Sequence, residues 1–323
     1  MVLLRAQHVS KIEKGEYTVK DISFTQASFQ KMAIAGETGS GKTTLLKLIA
    51  GLLQPDEGQI LFEDKRVKGP NDQLIPGHKG IAYLSQHFEL RNNYWVHEIL
   101  SYANELSEDD ANRLYQICRI DHLLQRRTDQ LSGGERQRIA LTRLLIGAPR
   151  LLLLDEPFSH LDTAHKRIIK SVIDDITQKL KITCILVSHD ATDVLPWADS
   201  IVVIKNGEFV QQADPETIYR QPADLYCAGL FGEYNFLSGK ETIALNYASP
   251  PGNKRLLVRP EQLVVQKDGG VEATVQSISF MGSHYRMRVL LGNLPLLVKT
   301  TIGPFAVGDT IGISLTAFEP CYL

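Results

Sequence analysis

The chain has no apolar run approaching the roughly 20 residues that a membrane-spanning helix needs. Arg5 also cuts short the N-terminal Val2-Leu3-Leu4 before a signal-peptide core forms. Both absences predict a protein made and kept in the cytosol. Cysteine is scarce, and Cys118, Cys184, Cys227 and Cys321 include no CxxC pair. That spacing argues against a zinc site or a disulfide framework and leaves reduced thiols. Neither sign of charge is in excess: the formal net charge is −2. Nothing global therefore steers the protein toward nucleic acid or an anionic membrane surface. What remains is a 323-residue chain, 43% hydrophobic and 22% charged. It has apolar side chains enough for a core and a length that suits one large or two smaller domains.

The most specific stretch is Gly36-Glu37-Thr38-Gly39-Ser40-Gly41-Lys42-Thr43-Thr44, which matches G-x-x-x-x-G-K-[ST] without a break. It follows the apolar strand Met32–Ala35 and runs into a helix bearing Leu45, Leu48, Ile49 and Leu52 at helical spacing. Glycines let such a loop close around a phosphate with its backbone N–H groups pointing inward, and the helix behind adds its positive dipole end. Lys42 is then placed to reach the β and γ phosphates, and Thr43 to offer its hydroxyl to Mg²⁺.

From Val2 to Phe29, alternating apolar and polar residues predict half-buried antiparallel strands. Beyond the first helix come a turn at 55–58, a strand at Gln59–Phe62 and another at Ile81–Leu84, the last ending at Ser85-Gln86. An amide at that strand end can meet a water or a metal, or be a plain solvated loop residue. Between Arg91 and Gln130 polar helical segments replace strands, and Ser107 with Asp110 opens a helix as a capping pair. Just upstream, Phe88, Leu90, Tyr94 and Trp95 are either part of a solvated face or a docking surface.

Ser132-Gly133-Gly134-Glu135 begins an apolar helix, with Ser132 at the N-cap and Glu135 three positions on. One good cap suffices for a helix, and each glycine costs about 1 kcal/mol in helical positions. Two bare glycines are explained if an anion must approach those amides. Leu151–Leu154 reads as a strand covered on both faces, ending in Asp155-Glu156. Parallel sheets bind ligands at the carboxyl ends of their strands, which gives the paired acids a functional reading. After Asp162 comes a helix with Ile168, Ile169, Val172, Ile173, Ile176 and Leu180 on its buried side; then Cys184–Val187 forms a strand ending at Ser188-His189. His189 thus shares its strand-end position with Gln86 and Asp155. Asn206-Gly207 joins two short strands as a hairpin.

In this order the motifs resemble the ATP-binding subunit of ABC transporters over about residues 1 to 235, the run from Ser132 to Arg138 being the most diagnostic. The implied fold is α/β: a P-loop NTPase domain with a mixed sheet, an antiparallel β part and a helical insert at about 88–130. A small all-β, barrel-like domain follows from 236 to 323. There, Leu257-Val258-Arg259-Pro260-Glu261 resembles the TOBE domain of importer ATPases. The resemblance implies that Lys42 and the loop from Gly36 to Thr44 hold ATP, while Thr43, Gln86 and Asp155 attend Mg²⁺. Glu156 would activate water and His189 contact the γ-phosphate. Ser132, Gly133, Gly134 and Asp162 would serve the nucleotide of a second copy, so that ATP joins a homodimer or paired ATPase subunit. Integral membrane permease subunits and a solute-binding protein are the implied partners, with the chain peripheral on the inner face of the cell membrane. The family's usual adenine-stacking aromatic is replaced here by Glu13 or Lys14, with Tyr17 nearby.

A rival reading treats the β-rich tail as an oligonucleotide-binding barrel. Its eight Lys/Arg against six Asp/Glu, with thinly spread aromatics, predict regulation or dimer contact and no nucleic-acid partner. An ABC-type exporter or a mechanochemical ATPase on DNA or ribosomes is the functional alternative. Lys42 and Asp155 are only 113 positions apart, too close for the long coiled coil of the DNA-repair relatives, and the chain carries one cassette, where ribosome-acting relatives carry two.

Overall fold

The computed structural model describes residues 1–323 apart from 88–89, 103, 160 and 267–268. The chain separates into two compact units, Met1–Pro215 and Glu216–Leu323. Phe88, one of the aromatics suggested for docking, lies outside the described residues.

In the first unit two long strands, β1 (Val2–Glu13) and β2 (Glu16–Ala27), pair antiparallel, as their alternating pattern predicts. Next come β3 (Lys31–Ala35), α1 (Lys42–Ile49), β4 (Glu57–Phe62), β5 (Lys65–Arg66) and β6 (Ile81–Leu84). The insert carries α2 (Val96–Ser101) and α3 (Glu108–Ile117), and Ser107 caps α3 by accepting from the Asp110 N–H. The rest is α4 (Gly133–Leu145), β7 (Leu151–Asp155), α5 (Thr163–Lys179), β8 (Thr183–Val187), α6 (Ala191–Val194), β9 (Ser200–Lys205) and β10 (Glu208–Ala213).

Ten strands form one sheet in the order β5-β4-β1-β2-β10-β9-β3-β8-β7-β6. Its β9-β3-β8-β7-β6 half is parallel, and its β5-β4-β1-β2 part is antiparallel. All five residues of β7 and all five of β8 are buried, because a central parallel strand is covered on both faces. The apolar side of α1 completes this core: Leu45, Leu46, Leu48 and Ile49 are at most 1% exposed.

The second unit begins with α7 (Pro215–Arg220), α8 (Leu225–Phe231), β11 (Asn235–Leu237) and α9 (Gly239–Ala244). It continues with β12 (Leu256–Val258), β13 (Leu263–Gln266), β14 (Val271–Phe280), β15 (Tyr285–Leu291), β16 (Leu294–Thr300), β17 (Thr310–Leu315) and β18 (Cys321–Tyr322). Two antiparallel sheets result, β11-β12-β18 and β13-β17-β14-β15-β16.

The sequence suggests a boundary at 235/236 with residues 226–236 as connector. In the structure that stretch is ordered as α8 and β11 and packs within the second unit. Arg259 is one reason, beside the pairing of β11 with β12. Only 1% exposed, it donates from Nη1 to the carbonyls of Ala228 and Gly232, both at 2.9 Å, and from Nη2 to that of Tyr219 at 2.8 Å. Its guanidinium also stacks over the Tyr219 ring, 4.1 Å from the centroid. One side chain from the RPE turn thus ties the segment from 219 to 232 to the β-rich part.

Candidate functional site

The parallel register places four strand ends at one edge. Leu84 lies beside Leu154, Asp155 beside Val187, and Ile34 also beside Val187. The segments that follow, carrying the Gly36–Thr44 loop, Gln86, Glu156 and His189, therefore emerge together. They enclose a cleft of about 360 Å³, lined by Thr38, Gly39, Gly41 to Thr44, Gln86, Glu156 and His189. Thr18, Ser159 and Val187 complete its wall, and sequence reasoning missed all three. Ser159, three residues beyond Glu156, had a positional signal; Thr18, far upstream on β2, had none.

The Gly36–Thr44 loop is built around its lysine. Lys42 is 7% exposed and donates to the carbonyls of Gly36 at 2.8 Å and Glu37 at 2.7 Å. Its third N–H has only a 3.5 Å approach to the Ser40 hydroxyl. Burial pushes the ammonium pKa down, opposed by the fields of Glu156, Asp155 and Glu37. Gly41 is required by the fold: at φ +96° a Cβ there would stand 2.1 Å from the Thr18 carbonyl oxygen. Gly36, Glu37 and Ser40 serve this scaffold and do not line the cleft.

Asp155 is 2% exposed and accepts from the Thr43 hydroxyl at 3.1 Å and the Tyr83 hydroxyl at 2.9 Å. Burial pushes its pKa up, partly offset by those two hydrogen bonds; burial and the Asp155 charge push the Tyr83 phenol up as well. A buried carboxylate whose hydrogen bonds come from neutral hydroxyls suits a nearby cation. Thr43 and Asp155 thus offer hard oxygen donors side by side, fitting Mg²⁺. No cluster of three or more His, Cys, Asp or Glu ligands exists among the described residues. Mg²⁺ needs none, since it typically keeps several waters and binds one or two carboxylates together with substrate phosphates.

Glu156 adopts φ +49°, a left-handed conformation uncommon outside glycine. Its carboxylate meets His189 Nδ1 at 2.9 Å and accepts from the Ser159 hydroxyl at 3.1 Å. Since Nδ1 is engaged, the other ring nitrogen of His189 is left for a ligand.

Ser132, Gly133, Gly134 and Asp162 do not line this cleft. They form a second locus. Ser132 and Glu135 make the reciprocal cap of α4, the Ser132 N–H donating to Glu135 at 2.8 Å. Asp162 caps α5, accepting from the His165 N–H at 2.9 Å and pairing with His165 Nδ1 at 2.7 Å. The same imidazole lies against Gly134, where a Cβ would stand 2.7 Å from its Cδ2. At Gly133 a Cβ would meet nothing within 4 Å, so packing within the chain does not call for glycine there.

Comparison with known proteins agrees with this architecture. Residues 19–159 match the ABC transporter family and residues 256–319 the TOBE domain. A spermidine/putrescine import ATP-binding protein from Clostridium acetobutylicum is 31% identical, over 97% of this chain and 94% of its own. An Fe(3+) ions import ATP-binding protein from Rhodococcus jostii is 33% identical over 99% and 98%. A sulfate/thiosulfate import ATP-binding protein from Mesostigma viride is 33% identical over 84% and 82%. Among solved structures, an ATP-binding cassette of an ABC transporter in its ADP conformation shares the fold, with TM-score 0.61 and 22% identity over 72% of this chain and 98% of that one.

Proposed function

The chain belongs to the ABC transporter family, as one of its ATP-binding, ATP-hydrolysing subunits, and on that premise we propose that it powers the import of a small solute through integral membrane permease subunits. The observation that carries this reading is the convergence of Lys42, Gln86, Glu156 and His189 on one cleft, with the buried Asp155 accepting from the cleft-lining Thr43 hydroxyl.

In this reading Lys42 and the amides of Gly39 to Thr44 hold the β and γ phosphates, and positioning supplies most of the catalysis. Thr43 and Asp155, with Gln86 nearby, would hold Mg²⁺, which when bound would supply neutralisation of phosphate charge. Glu156 takes the proton of the attacking water, whose oxygen bonds to the γ-phosphorus as the bond to ADP breaks. His189 presents Nε2 to the γ-phosphate because Nδ1 is occupied by Glu156. Ser132, Gly133 and Gly134, with Asp162, serve the nucleotide of a second copy or paired ATPase subunit. Their separation from the cleft of their own chain supports that assignment.

Import is supported by the TOBE match and by relatives named as import subunits. Those relatives are named for polyamine, ferric ion and sulfate import at 31–33% identity. Cargo choice accordingly rests with permease and solute-binding partners. A groove of about 270 Å³ lined by Arg91, Tyr94, Ile99, Tyr102 and Arg143 supports docking of a permease on the helical insert, which would hold the chain at the inner face of the membrane.

Replacing Glu156 by Gln tests the chemistry. ATP binding should survive, hydrolysis should fall by about 100- to 10,000-fold, the usual worth of a general base, and a nucleotide-bound dimer should accumulate in size-exclusion chromatography. Hydrolysis at the wild-type rate would remove Glu156 from the mechanism. Uptake of solute into vesicles carrying the co-purified permease, with ATP on the subunit's side, tests direction.

A further inference from the structure

The loci described above are joined inside one chain by a side chain that neither contains. Gln137 stands in the second turn of α4, five residues beyond the Ser132 cap, and is 4% exposed. Its Nε2 donates to the carbonyl of Pro157 at 2.6 Å. Pro157 is the residue after Glu156, whose backbone sits at φ +49°. Strained conformations persist only where the surroundings over-determine them. Here the Glu156 N–H donates to the Val187 carbonyl at 3.1 Å, and the Ser159 N–H returns to the Glu156 carbonyl at 3.2 Å. His189 and the Ser159 hydroxyl hold the Glu156 carboxylate, and Gln137 adds a restraint on the backbone of the turn from the α4 side.

The cost of this amide shows that α4 does not carry it for packing. Ile139, Leu141 and Leu145 already anchor the helix, and an apolar side chain at 137 would bury more simply. Instead, among the described residues, the Gln137 Oε1 is buried without a hydrogen-bond partner. Such orphaned acceptors are destabilising and rare in folded proteins.

We propose that Gln137 is a positioning residue for Glu156, fixing the turn that aims its carboxylate and tying that turn to the glycine tip of α4. It touches neither substrate nor metal. The proposal rests on the reading of Glu156 as the base. It has a consequence for paired subunits: displacement of α4 by a nucleotide at its tip is passed to the base of the same chain through one hydrogen bond.

The test uses the full chain in three variants: Gln137→Met and Gln137→Leu, which roughly keep the volume and remove the donor, and Glu156→Gln as reference. ATP-binding stoichiometry, KM and kcat per bound nucleotide are measured for each. A misaimed carboxylate should lower kcat by about tenfold or more in both Gln137 variants, with KM within about twofold and full stoichiometry. A kcat within about twofold of wild type in either variant overturns the proposal. So does a rate loss matched by loss of ATP-binding sites, which would make the role one of folding alone. If Glu156→Gln itself hydrolyses ATP normally, the reading of the base fails; if only the Gln137 variants do, the base stands and the positioning role falls.

Discussion

Gly133 offers a perturbation whose effects on stability and on activity should have opposite signs. It is the first helical residue of α4, and an added Cβ would meet nothing within 4 Å. Alanine there removes the excess backbone freedom of glycine in the unfolded chain, worth about 0.5–1 kcal/mol in a helix. For a unit of this size that corresponds to a rise of roughly 1–4 °C in Tm. If the amides at the α4 tip receive the phosphates of a second copy's ATP, the same methyl group blocks the approach. Hydrolysis and nucleotide-driven dimerisation should then fall together. The assay is scanning calorimetry without nucleotide, following the first unit's transition, alongside steady-state ATPase activity and light scattering with Mg-ATP. A Gly133→Ala protein that is stabilised yet keeps its ATPase rate within about twofold would refute the argument that bare glycines make room for an anion. A lowered Tm would refute the open geometry. Gly134→Ala is the internal control: its Cβ would stand 2.7 Å from the His165 ring, so it should destabilise the chain.

Acid stability should depend on Asp190. Burial, which pushes its pKa up, is outweighed by hydrogen bonds from the Thr192 hydroxyl, Lys166 and the Thr192 N–H, leaving it at about 2 against an ordinary 3.8. A depressed carboxylate stabilises the fold above the unfolded-state value, and that contribution is lost as pH falls through the folded one. Urea unfolding between pH 4 and pH 2 should therefore show a steeper loss for wild type than for Asp190→Asn; parallel curves would contradict this. In the second unit, Arg259→Met should leave the carbonyls of Tyr219, Ala228 and Gly232 without their donor, at about 1–3 kcal/mol for each that water does not reach. Calorimetry should show the second unit's transition shifted down by several degrees while ATP binding persists; an unshifted transition would mean that the arginine is not what orders the 219–232 segment.

Much of the cleft and of the second locus was legible in the sequence because their parts are short and close on themselves. The Gly36–Thr44 loop, the Ser132/Glu135 cap and the run of leucines ending in Asp155 each declare their local conformation within a few residues. Strand-end positions for Gln86 and His189 followed from apolar runs of four residues stopping at polar ones. Less was legible where partners are remote. Tyr83, whose hydroxyl reaches Asp155 across 72 positions of chain, reads in sequence only as a strand residue. Thr18 looks like any residue of an alternating strand, yet it walls the cleft. Residues 226–236 read as a connector because their helix and strand are short; their order depends in part on Arg259, donated from about 30 residues away.

The sequence by itself determined most of the segments that would be strands, helices and glycine-rich turns, since backbone hydrogen bonding, glycine's freedom and apolar periodicity act over one or two turns of chain. Tertiary structure alone decided which of those ends meet. Parallel pairing of β3, β8, β7 and β6 brings four loops to one edge, the hydroxyls of Thr43 and Tyr83 converge on one buried carboxylate, and Gln137 reaches across 20 positions to the turn that holds Glu156. The physical reason is that a buried polar group must find its partner in space, and the packing of the sheet, rather than any local pattern, fixes which one is within hydrogen-bond reach.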